Sequence, residues 1–340
     1  MKKISLSLLM LLVAAVGAQA KYWKIGPSSV TGMDFASINA AMSSTEVAAG
    51  DTLYLDQNYN ESATQTVTKR VVIIGTGYDT SFTDEGVVAR LTGTLNLKAN
   101  GAVVKSVKLT TVQFYNDDCI LDRCYATSVS TQSSTAGMNH VYSCYVNGYI
   151  YGYSNTSYSQ YDIQNCVILS SLYYMQSSII NNNTIITNYS STSSNTLYAI
   201  KNTVITNNII LNIYSGTAYY NIELKSDVYA SGSGNTIEHN VLSHTGALSY
   251  YPTNKTGYGG SSSELFTQTG NYSNYYKLAD KSVAKDYATD GGEVGAHGGM
   301  FGCPSGGRPQ YIPYFTKVTV GSRSENGKLP VSVTVKIQDE

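Results

Sequence analysis

Three phrases along this chain echo one another: SSIINNNTIITN at 177–188, AIKNTVITNN at 199–208 and GNTIEHNVLS at 234–243. Asparagine is a poor helix former and is depleted in strands, so three in a row between isoleucines weaken either element unless each amide has a fixed partner. A recurring phrase constrains the fold more tightly than any single motif. A repeated unit too small to bury its own apolar face must bury it against the next copy.

Aligned on an apolar anchor, the copies place Val104, Leu121, Val141, Ile163, Ile180, Ile200, Tyr219 and Ile237 in one column, at spacings of 17, 20, 22, 17, 20, 19 and 18 residues. Five positions later stand Leu109, Ala126, Val146, Ile168, Ile185, Ile205, Leu224 and Leu242, apolar in every copy. Three after the anchor come Val107, Cys124, Cys144, Cys166, Asn183, Thr203, Ile222 and Asn240, mostly small or amide-bearing. The position after the anchor carries Lys105, Asp122, Tyr142, Gln164, Asn181, Lys201, Tyr220 and Glu238, polar and expected to face solvent.

Inward apolar columns joined by turns of unfixed length predict an all-β chain folded as a right-handed, single-stranded parallel β-helix, a solenoid of about ten coils. Within such a stack, a buried amide at a sharp turn hydrogen-bonds its own copies and the backbone above and below; Asn183 and Asn240 are the best placed. Cysteine suits the same slot as a small, buriable side chain. The coil rise of about 4.8 Å leaves a Cys124–Cys144 disulfide within reach, although in-register side chains point the same way and favour free thiols. With Cys119 and Cys303 the cysteines number five, so at least one is free or pairs between molecules. No two are spaced as a CxxC pair, which argues against a structural zinc site.

The chain opens MKKISLSLLMLLVAAVGAQA, two lysines followed by an apolar run and small residues around Gln19. Residues 1–20 read as a cleaved bacterial secretory signal, with no later segment approaching the ~20 apolar residues of a membrane span. The expected location is secreted or cell-surface, the periplasm being a third possibility. Residues 21–57 read as an N-terminal cap with a short helix, in which Asp34 caps a turn carrying Phe35, Ile38 and Met42 at helical spacing. Residues 58–300 read as the β-helix and 301–340 as a C-terminal β tail. In that tail, 311–320 and 328–337 flank a Glu325-Asn-Gly327 turn as a strand pair. A lone hairpin is marginal in water, so it is expected to dock on the last coil or on another component.

Two stretches carry a family likeness. GDTLYLDQNYNES from Gly50 and KRVVIIGTGYDT from Lys69 supply Gly50, Asp51, Gly75, Gly77, Tyr78 and Asp79, and NYYKLADKSVAKDYATDGGEVGAHGG closes the repeat region from Asn274 to Gly299. Together they resemble the opening and closing phrases of the pectin-lyase-like right-handed parallel β-helix family, over roughly residues 34 to 300. Lys285 and His297 depart from the commoner isoleucine and tyrosine of the closing phrase. The tail resembles those of secreted β-helix proteins from the Bacteroidetes group. The likeness implies the fold; the same fold serves lyases, hydrolases, esterases and non-catalytic surface proteins.

A lyase of that family implies an acidic cluster holding Ca²⁺ and a basic side chain to abstract a proton. The densest charged group is Lys105, Lys108, Asp117, Asp118, Asp122 and Arg123. Asp117, Asp118 and Asp122 with Arg123 are the candidates for a calcium or acid/base site, the bland alternative being solvated turn residues. Lys105 and Asp122 share a column and are expected to form an exposed ion pair. His239 and His244 lie near Glu238 without a third ligand at a recognisable spacing, so no metal site is expected there. His297-Gly-Gly resembles the Gly-His-Gly of polygalacturonases only superficially, and no paired aspartates accompany it.

Between Cys124 and Ile222 the only Asp, Glu, Lys or Arg side chains are Asp162 and Lys201, whereas tyrosines number fifteen. Among them Tyr149, Tyr151, Tyr153, Tyr158, Tyr173 and Tyr174 are the candidate ligand-binding residues. Outward rings with hydroxyls suit neutral glycans or cell-surface protein partners, although strands favour tyrosine in any case. A net charge of −1 supplies no field for nucleic acid. The expected function is a non-catalytic surface or glycan-binding, adhesive protein needing no cofactor; the alternative is a polysaccharide lyase or glycoside hydrolase, for which Ca²⁺ enters.

Overall fold

A computed structural model describes residues 20–80, 86–134, 136–154, 157–188, 196–214, 217–218, 234–243, 252–258, 265–267, 276–302, 306–307, 314–320 and 331–336. Residues 1–19 of the expected signal segment 1–20 lie outside them, as do His244, Cys303 and the turn expected at 325–327. No helix among the described residues is long and apolar enough to cross a membrane.

The chain is a parallel β-helix. One sheet contains ten strands, one from each coil, running from Tyr22–Ile25 and Thr52–Leu55 through Ile120–Asp122, Asn139–Tyr142, Tyr161–Gln164 and Ile179–Asn181 to Thr236–Glu238. All its neighbours pair in parallel. A second, fourteen-stranded sheet is parallel except for Thr217–Ala218, which folds back on Ile209–Tyr214. Its long strands, such as Tyr125–Thr131, are followed on the next coil by two short ones, Tyr145–Val146 and Ile150–Tyr151, so it forms two walls.

The inner column runs through Leu53, Ile73, Val104, Leu121, Val141, Ile163 and Ile180, each paired with the next in register and at most 1% exposed. It then passes to Ile205 and Ile237, correcting two positions expected from the sequence. Ile200 belongs to the other sheet, opposite Met175, and Lys201 pairs with Gln176. Ile205 is therefore an anchor, and Ile210 takes the place expected for it in the following column, between Ile185 and Leu242. The cause is loop length: matching residues of these last coils are 25 and 32 apart, against 17 to 22 between Val104 and Ile180, so two long coils occupy what an even period divides into three. Tyr219, Tyr220, Ile222 and Leu224 lie outside the described residues.

The corners explain the triple asparagine. Two residues after each anchor the backbone enters the left-handed region, at Ser106, Arg123, Ser143, Asn165, Asn182, Asn207 and His239, with φ between 50° and 58°. Asparagine tolerates this conformation better than most residues. One residue on, Asn183, Asn208 and Asn240 form a buried ladder, which the half-buried Asn254 continues. The backbone N–H of Cys166, Asn183, Asn208 and Asn240 donates to the next side-chain oxygen at 2.8–3.0 Å, and the amide nitrogens of the four donate to the carbonyls of Ile163, Ile180, Ile205 and Ile237. Asn181 faces outward, Asn182 makes the turn and Asn183 joins the rungs.

Cys124, Cys144 and Cys166 extend the ladder as buried free thiols; the N–H of Cys124 meets Cys144 Sγ at 3.3 Å. Burial pushes the thiols of Cys124 and Cys144 well above their ordinary value, which keeps them unreactive. Thr203, expected in this column, belongs to a second ladder on the other side of the strands, accepting from the Ser178 N–H while its own N–H donates to Asn235.

At the N-terminal end α1, Ile38–Ser43, closes the stack. Ser37 rather than Asp34 caps it, accepting from the Ala40 N–H at 3.1 Å, while Asp34 takes the Lys24 N–H and Phe35 bridges to Ile25. Asn39 stands in for a missing neighbour strand: its N–H reaches Gln65 Oε1, its amide donates to the Thr64 carbonyl, and its oxygen accepts from the Thr66 N–H. An open sheet edge is thereby covered.

The closing phrase forms a strap running back along the left-handed corners. His239 Nδ1 meets the Tyr287 carbonyl, Asn207 pairs with Thr289, Asn182 donates to the Glu293 carbonyl, Asn165 to those of Ala296 and Gly298, and Ser143 to that of Gly302; the Gly306 carbonyl accepts from the Tyr78 N–H. Val294 and Ala296 belong to an apolar cluster that includes Val167, Ile209 and Val241, register partners by way of Thr184 on the outer face of the first wall. The strands Tyr314–Val320 and Val331–Lys336 follow as an antiparallel pair, joined to each other and to no other described strand.

Candidate functional site

The outer face of the second wall carries the tyrosines. Val129, Ile150, Leu172 and Leu197 point inward on successive coils, at most 1% exposed, so alternation turns the next residue out. That outward column reads Gln113, Ser130, Tyr151, Tyr173 and Tyr198. Tyr174 joins it because its backbone is left-handed at φ 55°, an uncommon conformation for an aromatic residue, which puts two consecutive rings in contact with the same neighbours.

The rings form one contact network. Tyr151 lies 5.3 Å from Tyr173 and 5.1 Å from Tyr174, Tyr198 is 6.1 Å from Tyr173 and 5.6 Å from Tyr174, and Tyr149 and Tyr158 attach at 6.1 and 6.2 Å. Interplanar angles from 40° to 82° make the surface corrugated rather than flat. Tyr149 and Tyr198 are 45% and 39% exposed, well above what packing requires. Beneath them Tyr161, fully buried, donates to the Tyr151 carbonyl at 3.1 Å and shares a 2.7 Å hydrogen bond with Thr131. The row is thus held from below.

Beside the rings lies a polar floor. Thr111, Gln113, Ser128, Ser130 and Gln132 line an open groove of about 500 Å³ with Tyr149, Tyr151 and Tyr173. No carboxylate or cation lines it; Lys201 sits 4.4 Å over the Tyr158 ring, and Lys98 sits 4.7 Å over Tyr115, whose hydroxyl donates to Gln113. Burial and then the Tyr151 hydroxyl raise the Tyr174 phenol above its ordinary value, so that ring keeps its proton near neutral pH.

Five of the six expected tyrosines therefore come together. Tyr153 is exposed beside them, its N–H donating to Ser159 Oγ at 2.9 Å, and is not among the rings in contact. Tyr198 and the hydroxyl–amide floor escape the sequence reading. The signal for Tyr198 is the inward Leu197 before it, readable only once the long coils are correctly phased; for most of the floor it is the inward Val112 and Val129, flanked by Thr111 and Gln113 and by Ser128 and Ser130.

The acidic candidates fall at opposite ends of one strand. Asp122 pairs with Arg123 at 2.9 Å and Lys105 at 3.3 Å, the latter as the shared column predicts. Asp117 accepts the Gly137 N–H and Asp118 is a left-handed corner, on the far side of Ile120–Asp122. Among the described residues no three His, Cys, Asp or Glu side chains could hold a metal ion.

One cluster went unforeseen. Tyr142 Oη donates to Asp162 Oδ2 at 2.5 Å and lies 2.8 Å from His140 Nδ1, while Gln164 donates to Asp162 Oδ1. Burial and the Asp162 carboxylate push the Tyr142 phenol well above its ordinary value, so its proton stays on. With the Tyr142 O–H engaged in that hydrogen bond to Asp162, the Tyr142 oxygen accepts from His140, and a neutral His140 then carries its proton on Nδ1 and leaves Nε2 as an acceptor. Phe301 of the strap stacks on Tyr142 at 4.5 Å and 5°. The chain matches no family model, no curated protein and no solved structure.

Proposed function

We propose that this is an exported bacterial protein of the cell surface or medium that binds a glycan without cleaving it, through the tyrosine face of its second wall. The observation that carries the reading is the continuous, partly exposed network of Tyr149, Tyr151, Tyr158, Tyr173, Tyr174 and Tyr198 beside a floor of hydroxyls and amides. Tyrosine rings give rigid contact area at low entropic cost, and their hydroxyls bond to a polyol. A strand preference for tyrosine explains single rings; it does not explain a six-ring cluster with an adjoining groove.

The test is a panel of immobilised glycans, read for retention and for new reducing or unsaturated ends. Retention without new ends is the expected result, weakened at least tenfold by Tyr151→Ala or Tyr173→Ala. Retention unchanged in both variants refutes the assignment.

A second reading, polysaccharide lyase or glycoside hydrolase, draws support from the Asp162–Tyr142–His140 chain, which presents a proton acceptor at Nε2. Under it, glycan cleavage would disappear in His140→Gln. Cleavage that survives that substitution removes the cluster from consideration.

A further inference from the structure

Resting on the glycan reading, the register of the site says more about the ligand. Gln113, Ser130, Tyr151, Tyr173 and Tyr198 are direct register partners on five successive coils. Adjacent coils rise by about 4.8 Å, so the row spans roughly 19 Å along the axis. Across the axis it is narrow, since the strand carrying Tyr151 is only two residues long. A chain lying across the coils would meet the row once; a chain lying along the axis meets it at every coil.

An extended β-linked pyranose chain advances per sugar by nearly the coil rise. Its substituents are equatorial, so its apolar C–H faces meet the rings while its hydroxyls point sideways. The angles of 44° between Tyr151 and Tyr173 and 60° between Tyr173 and Tyr198 leave a notch at each coil rather than one continuous plate. Gln113 and Ser130 continue the row with hydrogen-bonding groups where the rings stop. The absence of a carboxylate or a free cation on the groove lining suits an uncharged chain. An α-linked helical glycan has neither the flat face nor the matching advance.

We propose that the groove binds a neutral, flat, β-linked glycan parallel to the solenoid axis, one sugar per coil over five coils. The row has a direction, its polar end at Gln113 and its aromatic end at Tyr198.

The experiment is calorimetric titration of the full chain with β-1,4-linked cello-, xylo- and manno-oligosaccharides of two to seven sugars, with α-linked malto-oligosaccharides alongside. In at least one β series, affinity should rise about two- to tenfold per sugar, the scale of one aromatic contact, and level off at five. Tyr198→Ala, a change at an exposed ring, should move the plateau to four. Binding independent of length, or equal for α- and β-linked chains, overturns the axial register and leaves the glycan reading standing. Absence of binding to every oligosaccharide, together with no retention on the glycan panel, overturns both.

Discussion

Replacing Asn208 with leucine tests the ladder at its centre. Asn208 Oδ1 accepts from the Asn183 backbone N–H at 2.9 Å and its amide at 3.0 Å, while Nδ2 donates to the carbonyls of Ile180 and Thr206 and to Asn240 Oδ1. The site is fully buried, so water cannot replace what is lost. Leucine orphans the Asn183 N–H, worth about 1–3 kcal/mol, and removes four further bonds, to the Asn183 amide, the Ile180 and Thr206 carbonyls and Asn240 Oδ1, worth about 0.5–1.5 kcal/mol each. The expected total is roughly 3–9 kcal/mol, a large share of a typical stability of about 5–15 kcal/mol. Because coil-to-coil coupling is nearest-neighbour, the loss should also release the coils beyond Asn208 ahead of the rest, giving an early second transition in urea. The control is Asn181→Ala, in the triple asparagine of the neighbouring coil but on the outer face, where it accepts from Thr206 Oγ1 and the Asn207 amide, and it is expected to cost under about 1 kcal/mol. If the urea midpoint of Asn208→Leu falls no further than that of Asn181→Ala, the ladder does not hold the coils together.

Cys166→Asn should extend the ladder by one rung, giving the Cys144 N–H a stronger acceptor than the thiol it meets at 3.4 Å; its melting temperature is expected to hold or rise, and a marked fall would show the slot too tight for an amide. Gly295→Val should loosen the strap, since the residue sits at φ 96° and a Cβ there would come within 2.8 Å of Ile209; the readout is faster hydrogen exchange at 287–302 with the inner coils unaffected, and uniform exchange would refute it. Burial works to raise the pKa of Asp162, but the neighbouring His140 imidazole and the hydrogen bonds from Tyr142 and Gln164 more than offset it and hold the carboxyl below its ordinary value. Its contribution is therefore present above about pH 4 and lost as pH falls through the folded value, so Asp162→Asn should flatten the loss of melting temperature between pH 5 and 3; an unchanged slope would place acid sensitivity elsewhere.

The inward columns from Val104 to Ile180 were legible because a parallel coil imposes strict in-register burial, and each turn there adds only 17 to 22 residues. Beyond Ile180 an averaged period misplaced Ile200, Ile205, Thr203 and Lys201, since loop length carries no cost that sequence spacing records. The helix began later than expected because Ser37, not Asp34, aligns its oxygen with an unpaired N–H. The strap was invisible for a different reason: its partners are corner side chains 48 to 159 residues away, as in His239 with Tyr287 and Ser143 with Gly302. The His140–Tyr142–Asp162 cluster was missed alike, because His140 and Asp162 meet only when their coils are paired.

The two walls of the second sheet show why the tyrosines are what they are. On the first wall the outer column includes Val167, Ile209 and Val241, side chains with no polar atom, and the chain covers it with its own strap through Val294 and Ala296. On the second wall the column is tyrosine, and no described segment covers it; Tyr198 stays 39% exposed. Valine left in water gains nothing from waiting, whereas a tyrosine keeps its hydroxyl hydrated while offering a ring to the next apolar surface that arrives. A buried ring keeps its hydroxyl where it finds a partner, as Tyr161 does at Tyr151 and Thr131; an exposed ring keeps it because water supplies the partner, and on the second wall such rings stand in one network.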